Sequence, residues 1–475
     1  MNAPPATALD QMRAALGPGG YLDDPALIEP FVVDHRRLYH GVSRFVARPA
    51  TTGQVAAVVK ICAEHRIGIV PQGGNTGYCG GATPDESGKQ IIVCLQRMSR
   101  IRGADPGGYA LSLDAGCTLL QAQQAADEVG RLFPLSLGSE GTCQIGGNLS
   151  TNAGGTAVLY YGVTRDLVLG LEVVLPNGEI LDQLKSLRKD NTGYDLKQWF
   201  IGAEGTLGII TGATLKLFPK PAAHATAFIA VADLNAAVAL LGTLRESLAG
   251  SLTTFEVMPR FALELAVKHV PGVSDPLQNA HPWYVLAEIG LADSSDAAGA
   301  PFADTLNRLI EVGAIRDAVL ASSEAQRLSL WSIRENIPAA QTREGASIKH
   351  DISLPIAAIP EFVQTAGAAV LAIAPGARMV SYGHLGDGNL HFNFSPAAGV
   401  DPAPFLAKTE SIKRCVHDLV ADRRGSFSAE HGIGKLKIGE LARYKNPVAL
   451  ELMRLVKRSL DPLNIMNPGK VVPPP

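Results

Sequence analysis

A chain of 475 residues, 46% hydrophobic and 18% charged, is long enough for two or three domains with sizeable cores. Its net charge of −3 excludes the strongly basic field that a nucleic-acid or anionic-membrane partner would require. No run reaches ~18 uninterrupted apolar residues, so no membrane span is expected, and the most apolar window is read at 222–241. The start, Met1-Asn-Ala-Pro-Pro, has neither the basic residues nor the apolar run of a secretory leader. Six cysteines without a C-x-x-C pair argue against an iron–sulfur cluster or a zinc ribbon, and suggest buried thiols in a reducing cytoplasm.

In chain order, a leading helix is expected over 8–16. Thr51 or Thr52 then caps an amphipathic helix that ends near His65. A buried strand at 67–70 runs into Pro71-Gln-Gly-Gly-Asn-Thr-Gly77, the layout in which backbone N–H groups can cradle phosphate oxygens. Strands follow at 90–95 and 110–114, and a helix over 118–129. Pro176-Asn-Gly178 joins a strand pair at 168–175 and 179–181. A strand at 213–217 precedes the break Pro219-Lys-Pro221. From there alanine- and leucine-rich helices alternate with strands, among them 228–231 and 234–248. The last helix spans 447–460.

Glycine is the informative excess. Of the 49, many crowd into 73–81, 138–155 and 202–212, as expected where backbone packs close to a large ligand. Neither G-x-G-x-x-G nor G-x-x-x-x-G-K-[ST] occurs, which argues against a dinucleotide Rossmann unit and a P-loop.

One further stretch carries chemistry, Ser381-Tyr-Gly-His-Leu-Gly-Asp-Gly-Asn-Leu-His-Phe-Asn-Phe394. With Leu385–Gly388 as the turn, His384 faces Asn389. Strand alternation then puts His384, Asn389, His391 and Asn393 on one face and Leu390, Phe392 and Phe394 on the other. Two neutral imidazoles so placed can share a metal ion if a carboxylate joins them. Ser428-Ala-Glu-His-Gly-Ile-Gly434 offers Glu430, followed by His431. Histidines satisfied by hydrogen bonds in a core are the alternative.

The loop at 71–77, the cluster at 138–155, Gly202-Ala-Glu-Gly-Thr-Leu-Gly208 and the tail Leu463-Asn-Ile-Met-Asn-Pro-Gly-Lys470 together resemble the vanillyl-alcohol-oxidase-type flavoproteins. Within them the chain resembles the FAD-linked D-2-hydroxyacid dehydrogenases over roughly residues 40–472. The resemblance implies an α+β fold: a two-subdomain FAD-binding domain of PCMH/VAO type, an α+β substrate cap domain, and a C-terminal tail returning to the FAD domain. The boundaries expected are 1–221, 222–425 and 426–475.

It places the FAD on Pro71, Gly73, Gly74, Asn75, Thr76, Gly77, Gly138, Ser139, Thr142, Gly146, Gly147, Asn152, Glu204, Ile209 and Asn467. It implies a divalent metal, usually zinc, on His384, His391 and Glu430, with His431 as the proton acceptor. Asn393, Arg334 and Lys349, with His431, would bind the 2-hydroxy acid; Pro338 departs from the hydroxyl residue that relatives often carry. A histidine for covalent flavin attachment is missing from 73–81, so non-covalent FAD is expected. An electron-transfer flavoprotein or a similar acceptor, and a homodimer, are further expectations. Two cations beyond the metal motif favour D-2-hydroxyglutarate as substrate over D-lactate or glycolate, because a buried cation demands an anion; pairing with a protein acid such as Glu335 or Asp351 is the competing explanation. The flavin subunit of a larger electron-transfer complex, a non-catalytic relative and an ether-lipid synthase of the same fold are the other readings.

Overall fold

A computed structural model describes every residue except Ala249, Pro474 and Pro475. The chain forms two units. The first comprises Met1–Gly155, Gly162–Lys220 and Glu430–Pro475, and the second Thr156–Tyr161 and Pro221–Ala429.

In the first unit, the Thr51 side chain accepts from Gln54 N and starts the helix Thr52–His65. The helix feeds the strand Gly68–Gln72. That strand lies parallel to Gln90–Cys94, which is in turn parallel to Val46–Ala47, with Tyr21–Leu22 antiparallel at the edge. All five residues of Gln90–Cys94 are buried, as its Ile-Ile-Val run requires of a strand covered on both faces. A second, antiparallel sheet has the order Ile101–Asp105, Ala110–Asp114, Ile209–Lys216, Val168–Val174, Ile180–Gln183. A capping box between Thr118 and Gln121 starts the helix Leu119–Glu128.

One polar cluster ties these layers together. Glu172 accepts from Thr52 Oγ1 at 2.6 Å and from Arg102 at 2.7 Å, and Arg102 also donates to Asp114 at 2.6 Å. Buried charges persist because each has a partner. The cluster also explains a misplaced boundary. Strand Ile209–Lys216 begins four residues before the expected 213, and its register shifts between Ile210 and Gly212. A Cβ at Gly212 would stand 2.9 Å from the Arg102 guanidinium, so a weak strand former sits where the arginine must pass. The strand Ile101–Asp105 was not anticipated: it carries Gly103 and is mostly exposed, so no alternation marks it.

The second unit has a four-stranded antiparallel sheet, ordered Leu252–Pro259, Trp283–Leu291, Ala223–Val231, Asp317–Leu320. A three-stranded sheet places Asn389–Ser395 between Asp351–Ser353 and Arg378–Tyr382. A bridge between Val257 and Gly383 joins the two sheets. The 21-residue helix Glu324–Glu344 was not foreseen, because Pro338 lies inside it and the polar Arg334 and Gln341 occupy its buried face.

The window 222–241 resolves into a strand and the start of the helix Leu234–Ser247. Among the described residues the segment long and apolar enough to cross a membrane, by length and composition, is instead Ile356–Ile373. Its Ile359, Phe362, Val363, Ala366 and Val370 are built into the core of this unit.

Candidate active site

In the first unit the glycine loops enclose a cavity. Gln72 is buried at the end of its strand and donates to the Phe31 and Ala82 carbonyls, both at 2.8 Å, which fixes both ends of the 73–81 loop. Asn75 turns with φ +53° and donates to Val33 O. A Cβ at Gly74 would overlap the Thr142 carbonyl, so the two glycine stretches touch through backbone. Gly147 is different: a Cβ there would meet no protein atom within 4 Å, and the residue lines the cavity. Gln144, also on the wall, is buried with its Oε1 lacking a hydrogen-bond partner. Open space beside backbone and an unmatched acceptor fit a large ligand with N–H and O–H donors, as FAD has.

Of the residues expected on FAD, Pro71, Gly73, Gly74, Asn75, Thr76, Gly77, Gly146, Gly147, Glu204 and Ile209 line this cavity. Gly138, Ser139, Thr142, Asn152 and Asn467 do not line it. Thr142 backs Gly74, Asn152 accepts from Arg165 N at 2.9 Å, and Asn467 donates to Gly81 O and Glu204 O. Glu204 has a second task. Its two carboxylate oxygens accept from Ile433 N at 2.7 Å and Gly434 N at 2.8 Å, which clamps the return segment just after Glu430 and His431. Burial pushes its pKa up, and the two N–H bonds oppose this. The segment is held from a second side by the Cys79 carbonyl, which accepts from Lys435 N and Leu436 N. His431 thereby borders the cavity, with its ring edge-on to Tyr78 at 4.8 Å between centroids and its Nε2 3.5 Å from Glu430 Oε1.

In the second unit the hairpin has the expected register. Tyr382 pairs with His391, Leu385–Gly388 form the turn, and Asn389 N donates to His384 O. Leu390, Phe392 and Phe394 enter the core, while the rings of His384 and His391 lie 5.8 Å apart on the other face. Asn393 shares that face, but both ends of its amide have partners: Oδ1 accepts from His350 N and Nδ2 donates to Gln341.

Arg334 is buried and paired with Glu256, its Nε donating to Oε2 at 2.5 Å. The acids beside the two cations in sequence are Glu335 and Asp351, yet the carboxylate on Arg334 Nε comes from the strand Leu252–Pro259. Glu256 carries no sequence signal, since it lies in an ordinary strand run, Thr253-Thr-Phe-Glu-Val257. Lys349 is exposed. Pro338 removes the N–H that would bond the Arg334 carbonyl, so the helix is altered where the arginine sits.

The comparisons with known proteins agree with this architecture. A family model described as "FAD linked oxidases, C-terminal domain" matches residues 220–471, and one described as "FAD binding domain" matches 43–183. The chain is 41% identical to D-2-hydroxyglutarate dehydrogenase, mitochondrial, of Bos taurus, over 96% of this chain and 82% of that one. It is 38% identical to the Arabidopsis thaliana protein of the same name, over 97% and 80%. It is 35% identical to a D-2-hydroxyglutarate–pyruvate transhydrogenase of Saccharomyces cerevisiae, over 94% and 90%. Two solved structures share the fold at low identity. An alkyldihydroxyacetonephosphate synthase has TM-score 0.75 at 17% identity, covering 99% of this chain and 87% of its own. p-Cresol methylhydroxylase has TM-score 0.74 at 18%, covering 98% and 96%.

The naming of relatives as mitochondrial overturns the expected cytoplasmic placement. That expectation rested on the cysteines, which form no disulfide and are mostly buried, a state that any reducing compartment supports. The fold, the flavin cavity and the full-length relatives have one reading: the chain belongs to the FAD-linked oxidoreductases of vanillyl-alcohol-oxidase type, among the FAD-dependent D-2-hydroxyacid dehydrogenases.

Proposed function

We propose that the chain oxidises D-2-hydroxyglutarate to 2-oxoglutarate, with the first unit carrying FAD non-covalently and the second serving as the substrate cap. The observation that carries the substrate is the 41% identity, over 96% of the chain, to a relative named for it. Bound FAD supplies the hydride acceptor, and a divalent ion, zinc by the character of its donors, supplies Lewis acidity toward the hydroxyl.

His384, His391 and Glu430 would hold that ion. The two imidazoles share one face of the hairpin. Within the second unit, Asp351 pairs with His391 in the sheet and its carbonyl accepts from Ala429 N. His431, on the wall of the flavin cavity, would accept the hydroxyl proton at Nε2. Arg334 and Lys349 would meet substrate carboxylate. Glu256 already balances Arg334 and Lys349 is exposed, so neither is a buried cation in want of an anion; the dicarboxylate reading rests on the relatives' names, with Lys349 as the cation assigned to the second carboxylate.

The test is kcat/KM for D-2-hydroxyglutarate, D-malate, D-lactate and their L enantiomers with a dye acceptor, in wild type and Lys349→Met. The expected outcome is a preference for D-2-hydroxyglutarate over D-lactate of about 10²-fold that collapses in the variant, the order of effect when a charged partner is lost. A wild type that prefers D-lactate sinks the proposal. Flavin that stays with the acid-precipitated protein would sink non-covalent attachment.

For the electrons we propose an electron-transfer flavoprotein or a quinone-linked carrier. The yeast relative's name favours a second reading, in which a 2-oxo acid such as pyruvate takes them. Formation of D-lactate from pyruvate during turnover would decide for the second.

A further inference from the structure

Glu256 is fully buried in the strand Leu252–Pro259, and both of its carboxylate oxygens are used. The backbone sets this up. Val257 and Gly383 exchange N–H···O bonds of 2.8 and 2.9 Å, which carries His384 alongside the strand. Gly383 adopts φ +145°, and a Cβ there would crowd the Asn389 carbonyl at 2.9 Å, so glycine permits the approach. Glu256 Oε1 then meets His384 Nδ1, while Oε2 accepts from Arg334 Nε. The guanidinium also lies over the Tyr382 ring at 5.0 Å, and that ring stands 5.0 Å from His391. One carboxylate therefore links the residue proposed to anchor substrate with a residue proposed to hold metal.

The geometry divides the roles. With Arg334 Nε donating to Oε2, the other oxygen faces His384 Nδ1 as an acceptor for an Nδ1–H, the tautomer in which Nε2 carries the lone pair that a metal ion needs.

We propose that Glu256 is a positioning residue: it fixes the tautomer and ring plane of His384 so that Nε2 is the ligating nitrogen, and it anchors Arg334 with its other oxygen. This rests on the metal reading of the hairpin. A buried acid whose only task was to neutralise Arg334 would leave the histidine indifferent to it. A hydrogen bond to the far nitrogen of a ligating imidazole typically governs metal affinity 10–100-fold.

The experiment has two arms. Glutamine offers one acceptor and one donor in place of two acceptors, so Glu256→Gln keeps at most one of the two partners. Zn²⁺ affinity, measured by chelator competition on flavin-loaded protein, should fall 10–100-fold while flavin content stays at the wild-type level. An affinity within twofold of wild type overturns the proposal. The second arm needs no variant at position 256. In ¹⁵N-histidine spectra of the metal-free wild type, with the resonance assigned through His384→Ala, His384 should be the Nδ1–H tautomer. An Nε2–H tautomer overturns the proposal even if Glu256→Gln fails to fold. A wild type that binds no Zn²⁺ refutes the metal reading instead, and the spectra still decide the part played by Glu256.

Discussion

The flavin cavity of the first unit and the hairpin face of the second are built on opposite principles. Around the cavity, position is set by backbone: Gly74 lies against the Thr142 carbonyl and Gly146 accepts no more than the space beside Ala115, where a Cβ would stand 2.9 Å from the Ala115 Cβ. On the hairpin face, position is set by charged side chains buried in a row, Arg334–Glu256–His384. The first arrangement tolerates little added volume but needs no particular protonation state. The second admits some change of volume and depends on every ionisation being right. A substitution should therefore fail differently in the two places, and that difference can be measured.

The largest effect is expected at His431, which lies in the first unit and is proposed to take the hydroxyl proton. His431→Ala should lower kcat by ~10²–10⁴-fold, the usual cost of removing a general base, while flavin and metal contents stay at wild-type levels. His391→Ala should instead lose the metal and keep the flavin. If His431→Ala turned over at the wild-type rate, the proton acceptor would have to be sought on the hairpin, and the division between the two regions would be wrong.

A smaller effect tests whether the backbone-built region also contains an ionisation under strain. Lys470 is buried and donates to the Thr83 carbonyl. Burial, with help from Lys435, lowers its pKa from 10.5 to about 8. Between pH 8 and 10.5 the unfolded chain then binds more protons than the folded one, so stability rises with pH through that window. Below pH 8 both states are protonated and the penalty is full, on the order of 3 kcal/mol. Lys470→Met removes the penalty and also the hydrogen bond, which contributes about 1 kcal/mol. The variant should be the more stable protein at pH 7, and wild type should close the gap by pH 10. A stability difference that does not change with pH would show that Lys470 titrates normally.

Much of this was legible in the sequence, for reasons that differ by region. The hairpin register followed from alternation around Leu385–Gly388, because a one-residue slip would have moved Phe392 and Phe394 out of the core. The Thr51 and Thr118 caps are local chemistry, and they appear where the side chains allow. What stayed hidden is tertiary. Nothing near Glu256 announces a partner 78 residues away at Arg334 and another 128 residues away at His384. Glu204 lines the cavity, but that its carboxylate also clamps a segment more than 200 residues on has no local signal. The helix Glu324–Glu344 lacked a clean apolar stripe because the polar Arg334 and Gln341 occupy its buried face.

Glycine separates the two principles most finely, because two glycines of the same cavity should respond in opposite directions. Gly74→Ala would overlap the Thr142 carbonyl, an overpacking of backbone that typically costs 1–3 kcal/mol whether or not flavin is bound. Gly147 lies in the helix Ile145–Thr151, outside the positive-φ region, with no protein atom within 4 Å of a Cβ. Alanine there should stabilise the deflavinated protein by about 0.4–1 kcal/mol, through helix propensity and a less free unfolded chain. The same methyl projects into the cavity, so FAD affinity should fall and the gain should vanish or reverse in the holoprotein. Melting temperatures of the apo and holo forms of both variants make the comparison. If Gly147→Ala stabilised both forms equally, the space beside it would not belong to the flavin, and the glycine there would have no ligand to explain it.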